Sequence, residues 1–253
     1  MNVSQFFLSG TIQTLQTLTG FIRLYFNSNL YLGAIILFLY RAVMKVVIFG
    51  ANGKTGLLVV EQALAKGHQV IAYIRIPGSI RIENPKLKIV VGNLNETLKM
   101  KDAITGVDAC ISSLGTGSLT KHSPEMMNGI KNIVSIMENV KVHRFIYLSS
   151  LGAGESLYLI PQPLRFILNS IFLRVPLADH NANESTILNS KLQWTLVRPG
   201  SLTDGQLTGN LKHGSENIRM KGISSISRAN VASFIVQQLT DTTYLQKAVW
   251  LFE

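Results

Sequence analysis

The chain has 253 residues, of which 47% are hydrophobic, and its formal net charge is +10 at pH 7. Its single cysteine, Cys110, excludes a disulfide framework within the chain and agrees with a reducing compartment. The basic residues follow no zinc-finger, helix-turn-helix or basic–aromatic pattern, so we expect no nucleic-acid partner and relate the charge to an anionic ligand. No His, Cys or carboxylate residues have metal-ligand spacing, so we expect no metal.

Residues 1–43 differ in composition from the rest of the chain. They contain no Asp or Glu, and Leu30–Tyr40 is a run of eleven apolar residues. A membrane-spanning helix needs about 20 residues, and extending the run back to Phe21 includes Arg23. Three interpretations stay open: Met44 is the true start, or the segment is a membrane anchor, or it is a targeting peptide. We expect a cytoplasmic domain, with membrane association through residues 1–43 under the anchor hypothesis.

The segment Met44–Arg75 has the order of a dinucleotide-binding β-α-β unit. Lys45–Phe49 and Gln69–Tyr73 are short apolar runs typical of buried parallel strands. Between them, a glycine-rich turn leads into a helical pattern that ends at Gly67. The glycines therefore occur in the structural context that a dinucleotide site requires.

Each glycine of the G-x-x-G-x-x-G turn has a physical role. Gly50 suits a tight turn with positive φ, and Gly53 lets a pyrophosphate approach the backbone. Gly56 lets the following helix pack close to the first strand. We predict that the pyrophosphate meets the free N–H groups at the helix N-terminus.

The residue at the end of the second strand distinguishes the two nicotinamide cofactors. An acidic residue there binds the ribose hydroxyls of NAD, whereas an arginine attracts the 2′-phosphate of NADP. This chain has Arg75, and the next carboxylate along the sequence is Glu83. The sequence therefore favours NADP(H) as the cofactor.

The rest of the chain alternates strands with helices. Strands are predicted over residues 86–91, 107–112, 144–148, 193–197 and 248–252, and helices over 98–104, 124–140, 179–190 and 227–239. This alternation predicts an α/β protein with a Rossmann-like, doubly wound parallel sheet in a single domain, residues 44–253. Ligands of such sheets bind beyond the carboxyl ends of the strands.

Motifs along residues 44–253 resemble those of the atypical short-chain dehydrogenases/reductases of the NAD(P)H-binding, NmrA-like group. Within that group, the flavin reductase/biliverdin reductase B type is most similar. The motifs that carry the resemblance are IFGANGKTG, IAYIR, VVGNLN, LGTGSLTKHSPEMMNGIKNIV, RFIYLSS, ADHNANESTILNSKLQWTLVRPGSLTDGQLTG and SRANVASFIV.

The resemblance implies roles for residues in the loops after the strands. The residues implied to hold the pyrophosphate are Gly50, Asn52, Gly53, Lys54 and Thr55. Gly56 is also implied in cofactor binding. Arg75 is implied at the 2′-phosphate, Asn93 and Leu94 at the adenine, and Leu114, Gly115 and Thr116 at the nicotinamide-side ribose. Ser150 is implied beside the nicotinamide and substrate, and Asp179-His180 as a pair at a helix start facing the cofactor. Pro199 and Ser201 are implied to line the pocket, although the biliverdin reductase type has histidine where Ser201 stands.

The usual proton donor of short-chain dehydrogenases, a Tyr-x-x-x-Lys pair, is missing. None of the seven tyrosines is followed by lysine four positions later. Flavins, quinones and bilins are conjugated acceptors that take a hydride directly and receive protons from water. Ser150 is a candidate to orient the carboxamide or donate to the acceptor, and His180 to shuttle a proton.

These residues predict an NADPH-binding oxidoreductase that transfers hydride to a flavin, quinone or bilin. The alternative is a non-catalytic, NmrA-like redox sensor that binds NADP(H), or a membrane-tethered assembly factor that keeps the nucleotide for stability. The sequence does not decide between them, because it supports cofactor binding more strongly than turnover.

Overall fold

Short apolar runs form the central strands of one sheet, as their lengths predict. The computed structural model describes residues 43–115, 118–167, 173–218, 222 and 224–253. The strands are β1 (Lys45–Phe49), β2 (Gln69–Ile74), β3 (Leu87–Val91), β4 (Ala109–Ser112), β5 (Arg144–Leu148), β6 (Gln193–Pro199), β7 (Ser201–Thr203), β8 (Lys212–Gly214), β9 (Ser225–Ser227) and β10 (Lys247–Phe252). The helices are α1 (Lys54–Ala65), α2 (Thr97–Ile104), α3 (Pro124–Asn139), α4 (Leu164–Ile167), α5 (Arg174–Leu188) and α6 (Arg228–Gln237), with a 3₁₀ turn over Gly154–Leu159.

The main sheet has the strand order β3-β2-β1-β4-β5-β6-β10-β8. All neighbours in it are parallel except β8, which pairs antiparallel with β10 at the edge. The strand order reverses between β1 and β4, so loops from both strands diverge at this point of the sheet. The predicted Rossmann-like α/β fold is confirmed. Ligands of such sheets bind at the switch point.

Alternate residues of β1 enter two separate hydrophobic cores. Val46 and Ile48 pack on one face of the sheet, with α1 and α6. Val47 and Phe49 pack on the other face, with the apolar sides of α2 and α3. Because successive side chains of a strand point to opposite faces, a strand covered on both faces is apolar throughout.

Helix α5 begins five residues earlier than the sequence predicts, at Arg174 instead of Asp179. Pro176 lies in its first turn, where the backbone N–H groups have no partner within the helix, so proline costs little there. Asp179 and His180 therefore lie in the second turn, and their implied position at the start of a helix is wrong.

Two sequence hypotheses concern parts of the chain outside the description above. Residues 1–42, to which the anchor and targeting hypotheses refer, lie outside the described residues, and so does Thr116. Within the part of the chain that is described, no helix is both long enough and apolar enough to cross a membrane.

Candidate functional site

The glycine turn after β1 is packed tightly against the end of β4. Gly50 has φ +74°, and a Cβ atom on it would lie 2.8 Å from the backbone carbon of Ser113. The Ser113 hydroxyl donates to the carbonyl oxygens of Phe49, at 3.0 Å, and Gly50, at 3.2 Å. A residue with a side chain at position 50 would be strained and would also clash. The turn therefore joins the two strands that diverge at the switch point.

The N-terminus of α1 is arranged to receive an anion. Its N-cap is Gly53, which makes no side-chain capping hydrogen bond, and the first turn contains no acidic residue. The first N–H groups of a helix have no partner within it, and the helix dipole gives them a partial positive charge. A Cβ atom on Gly53 would lie 3.3 Å from the Gly50 carbonyl oxygen, so a side chain there would crowd the turn. The turn and the helix together fit a dinucleotide pyrophosphate.

A cleft of about 170 Å³ lies beside this turn, at the carboxyl ends of the first four strands. Its lining includes predicted cofactor residues from four different loops: Gly50, Asn52, Arg75, Asn93, Leu94, Leu114 and Gly115. The rest of the lining comes from the end of β2, from Gly92 and from the start of α3. The fold thus brings together residues that are far apart in the sequence. Leu114 and Gly115, implied at the nicotinamide-side ribose, share this cleft with Arg75.

Charged and polar groups line the Arg75 end of the cleft. Arg75 Nη1 lies 3.5 Å from Glu125 Oε2, and both side chains are more than half exposed. The Tyr73 hydroxyl donates to the Asn93 carbonyl oxygen at 2.9 Å. Burial, with the nearby charge of Glu96, raises the pKa of Tyr73 to about 12, so this hydroxyl stays protonated.

The other predicted pyrophosphate residues lie around the helix start. Thr55 and Gly56 are buried under the turn. The Lys54 ammonium contacts Asp204 at 2.9 Å, and Asp204 also pairs with Arg228. Lys54 is therefore held towards the loop that follows β7, and it would have to leave Asp204 to bind a pyrophosphate.

The predicted catalytic and pocket residues do not line the cleft. Ser150 is partly buried, and its hydroxyl donates to the Leu151 carbonyl oxygen at 3.2 Å. Pro199 is buried at the end of β6, and Ser201 is exposed at the start of β7. All three follow the ends of β5 and β6, on the far side of the switch point from Arg75.

His180 lies inside the protein, in a hydrogen-bonded cluster under α5. Its Nδ1 is 2.9 Å from the Tyr147 hydroxyl, which also accepts a hydrogen bond from Asn183 at 3.0 Å. Burial lowers the pKa of His180, and the charges of Glu184 and Asp179 oppose this shift. Burial likewise raises the pKa of Tyr147. The rings of His180 and Tyr147 are therefore neutral near pH 7 and hydrogen-bonded to each other. Asn183 Oδ1 is buried and has no hydrogen-bond partner among the described residues.

Asp179 pairs with a different histidine from the one that the sequence suggests. One carboxylate oxygen lies 2.5 Å from His122 Nδ1, and the other accepts from the Ser123 backbone N–H at 2.8 Å. Asp179 is fully buried and Ser123 is the N-cap of α3. The carboxylate therefore anchors the beginning of α3, whose first turn lines the cleft.

A buried ion pair lies beside the Ser149-Ser150 strand end. Arg198 donates to Glu184 through Nε at 2.9 Å and Nη2 at 2.7 Å, and to exposed Glu155 at 2.7 Å. The Ser149 hydroxyl donates to Glu184 at 2.6 Å. Burial lowers the pKa of Arg198, but its hydrogen bonds to the two carboxylates outweigh this effect and raise it.

Sequence reasoning missed Glu125 and His122. Glu125 is 50 positions from Arg75, and His122 is 57 from Asp179, so no local spacing pairs them. One usable signal was present: Ser123-Pro124 predicts a helix start, and the first turn of a helix after β4 lies at the switch point. In the described part of the chain, no group of three or more His, Cys, Asp or Glu is placed to hold a metal ion.

Comparison with known proteins establishes the family to which the chain belongs. Residues 50–242 match the model of the NAD(P)H-binding family, so the chain belongs to that family. The predicted nicotinamide dinucleotide cofactor is thereby confirmed at the level of NAD(P)H. A chloroplastic protein of Arabidopsis thaliana is 31% identical over 204 residues, which are 77% of this chain and 71% of the relative. The photosystem II assembly factor Ycf39 of Synechocystis is 24% identical, over 64% of this chain and 46% of that protein.

Solved structures share the fold at low sequence identity. The anaerobilin reductase ChuY of Escherichia coli O157:H7 superposes with a TM-score of 0.68 at 22% identity, over 83% of this chain and 97% of that one. A short-chain dehydrogenase/reductase of Veillonella parvula was solved in complex with NADP. It superposes with a TM-score of 0.67 at 16% identity, over 83% of this chain and 94% of that one. The chain is thus an NAD(P)H-binding family member with a Rossmann-like fold.

Proposed function

We propose that this protein is an NADPH-dependent reductase that transfers hydride to a conjugated acceptor, namely a flavin, a quinone or a bilin. The observation that carries the proposal is the cleft in which the glycine turn and Arg75 line one cavity. Its lining residues suit the adenosine half of NADPH, with Arg75 at the 2′-phosphate. The NADP bound in the Veillonella structure and the reductase activity of ChuY support the same assignment.

Each predicted residue has a role in this proposal. The N–H groups of Lys54 and Thr55 bind the pyrophosphate at the start of α1, where no side chain caps the helix. The Gly53 N–H closes the turn by donating to the Gly50 carbonyl oxygen at 3.0 Å. Leu94 forms an apolar wall for the adenine. NADPH would supply the hydride when bound, and the protein would orient the nicotinamide towards the acceptor.

The acceptor side is proposed at the ends of β5 and β6. Ser150, Pro199 and Ser201 follow these neighbouring strands. Ser150 is the candidate to donate a hydrogen bond to the acceptor or the carboxamide, since its hydroxyl is partly exposed and donates only to the next carbonyl along the chain. His180 is proposed as a positioning residue that keeps α5 on β5 through Tyr147.

A conjugated acceptor is favoured because the chain lacks the Tyr-x-x-x-Lys pair. Reduction of an isolated ketone needs a proton donor at the carbonyl oxygen. A flavin, quinone or bilin delocalises the added charge, so water can supply the proton. Tyr147 and His180, two buried groups that could exchange protons, are hydrogen-bonded to each other.

The test is to incubate the purified full-length protein with NADPH and, in turn, FMN, a quinone and biliverdin, while following NADPH absorbance. We expect protein-dependent oxidation of NADPH with at least one acceptor. Ser150→Ala should lower this rate by about tenfold or more and leave NADPH binding unchanged. A protein that binds NADPH but accelerates no acceptor would contradict the proposal.

The second candidate function is a non-catalytic NADP(H) sensor or assembly factor. The engaged state of His180 favours it, because the one histidine predicted to shuttle protons already has a buried partner. The similarity to Ycf39, named as an assembly factor, also favours it. Tight NADPH binding without turnover would select this candidate, and co-purification of a partner that depends on NADPH would support it.

A further inference from the structure

A carboxylate and an arginine lie next to each other in the cleft. Arg75 comes from the end of β2 and Glu125 from the first turn of α3, and both line the cleft. Their charged groups are 3.5 Å apart, and their side chains are 65% and 55% exposed. Both groups are therefore within reach of a ligand in the cleft.

Three hydrogen bonds fix helix α3, which carries Glu125. Asp179 accepts from the Ser123 N–H at 2.8 Å, and the Ser123 hydroxyl accepts from the Met126 N–H at 3.4 Å. Further along the same helix, Asn132 donates to the Leu94 carbonyl oxygen at 2.9 Å. These contacts place the Glu125 backbone at the edge of the cleft.

NADPH and NADH differ at the 2′-position of the adenosine ribose, which is the position proposed to meet Arg75 and Glu125. The 2′-phosphate of NADPH carries close to two negative charges, which Arg75 attracts and Glu125 repels. The 2′-hydroxyl of NADH is neutral and can donate to a carboxylate. Glu125 also competes with the phosphate for the Arg75 guanidinium. The Glu125 carboxylate thus weakens NADPH binding in two ways, by repelling the 2′-phosphate and by competing for Arg75. It also favours NADH binding.

We infer that Glu125 is a second determinant of cofactor preference, which lowers the selectivity for NADPH that Arg75 provides and keeps NADH as a usable ligand. The inference rests on the proposed function in one respect, namely that the cleft holds the adenosine half of the cofactor. Glu125 acts through binding alone, so its role is measurable without turnover.

The experiment measures dissociation constants of NADPH and NADH for the full-length protein by titration calorimetry. In Glu125→Gln, the ratio of the NADH constant to the NADPH constant should rise about five- to tenfold, mainly through tighter NADPH binding. Glu61→Gln is the matched control, because it removes one negative charge from an exposed position of α1 away from the cleft. It should leave the ratio unchanged.

Two further measurements make the test specific. In an Arg75→Gln background, Glu125→Gln should change the ratio less, because the competition for the guanidinium is gone. Raising the salt concentration should shrink the effect, because both charged groups are exposed and therefore screened. An effect of the same size in both backgrounds and at all salt concentrations would contradict an electrostatic role of Glu125.

Failure of this inference is distinguishable from failure of the proposed function. An unchanged ratio in Glu125→Gln, with both cofactors bound, would overturn the role of Glu125 and leave the reductase proposal standing. A shifted ratio in a protein that reduces no acceptor would overturn the reductase proposal alone. A protein that binds neither cofactor would overturn both.

Discussion

Gly56 lies so close to Gly50 that a Cβ atom on Gly56 would be 2.1 Å from the Gly50 carbonyl oxygen. The same atom would lie 2.6 Å from the Ser113 hydroxyl oxygen. The backbone of α1 therefore approaches the turn as closely as its own atoms allow. This contact fixes where the uncapped N–H groups of the helix point, and so links the packing of the fold to the proposed pyrophosphate site.

We expect Gly56→Ala to lower the free energy of unfolding by about 1–3 kcal/mol, because α1 must move away from the turn. The measurement is urea unfolding without cofactor. Gly115→Ala is the control, because a Cβ atom there would meet no atom within 4 Å. Equal stability of Gly56→Ala and the unmodified protein would show that α1 does not pack as described.

Arg75→Asp should reverse the preference between NADPH and NADH. The variant replaces the group that attracts the 2′-phosphate with one that repels it, in a cleft that already contains Glu125. We expect the dissociation constant of NADPH to rise by about tenfold or more, and that of NADH to change much less. Titration of both cofactors checks this. If the unmodified protein binds the two equally and the variant does not alter their ratio, Arg75 has no part in the choice.

Glu184→Gln should be far more destabilising than Glu155→Gln, although both carboxylates bind Arg198. Glu184 is 3% exposed and Glu155 is 68% exposed. Removing the buried charge leaves a buried guanidinium without its main partner, which costs about 3 kcal/mol, whereas an exposed pair contributes about 1 kcal/mol or less. Urea unfolding of the two variants tests the difference. Similar losses would mean that Arg198 is not buried as described.

Stability should fall as the pH is lowered from about 7 to about 5.5. Burial lowers the pKa of His180 in the folded state, and burial with Lys66 and Lys86 lowers that of His68. Below the ordinary histidine pKa of 6.5, the unfolded chain therefore binds more protons than the folded protein. His180→Gln and His68→Gln should each show a smaller loss of stability over this pH range in urea unfolding. An identical loss in both variants and the unmodified protein would contradict the role of the histidines.

The sequence predicts the positions of the main strands and the nucleotide turn well, because both depend on local patterns. Apolar runs such as Lys45–Phe49 are long enough to indicate strands, and the glycine turn between strand and helix indicates a dinucleotide site. The short strands β7, β8 and β9 were not predicted. Each has three residues, and so few residues show no periodicity.

The arrangement of charged side chains was not predictable from spacing. Glu125 reaches Arg75 because the start of α3 lies beside the end of β2 at the cleft. Asp179 reaches His122 because α3 and α5 pack against each other. The Asp179-His180 sequence suggests a pair, but adjacent residues of a helix point in different directions. Tertiary packing therefore decides which histidine each carboxylate meets.

The most direct test of the proposed function is a single-turnover reaction with the protein in excess over NADPH that carries deuterium at the transferred position of nicotinamide C4. The account predicts that FMN, a quinone or biliverdin is reduced only in the presence of protein, and more slowly with deuterated than with unlabelled NADPH. Such an isotope effect shows that the hydride leaves the bound cofactor in the rate-determining step. If the protein binds NADPH but no acceptor oxidises it faster than in the protein-free reaction, the account is contradicted.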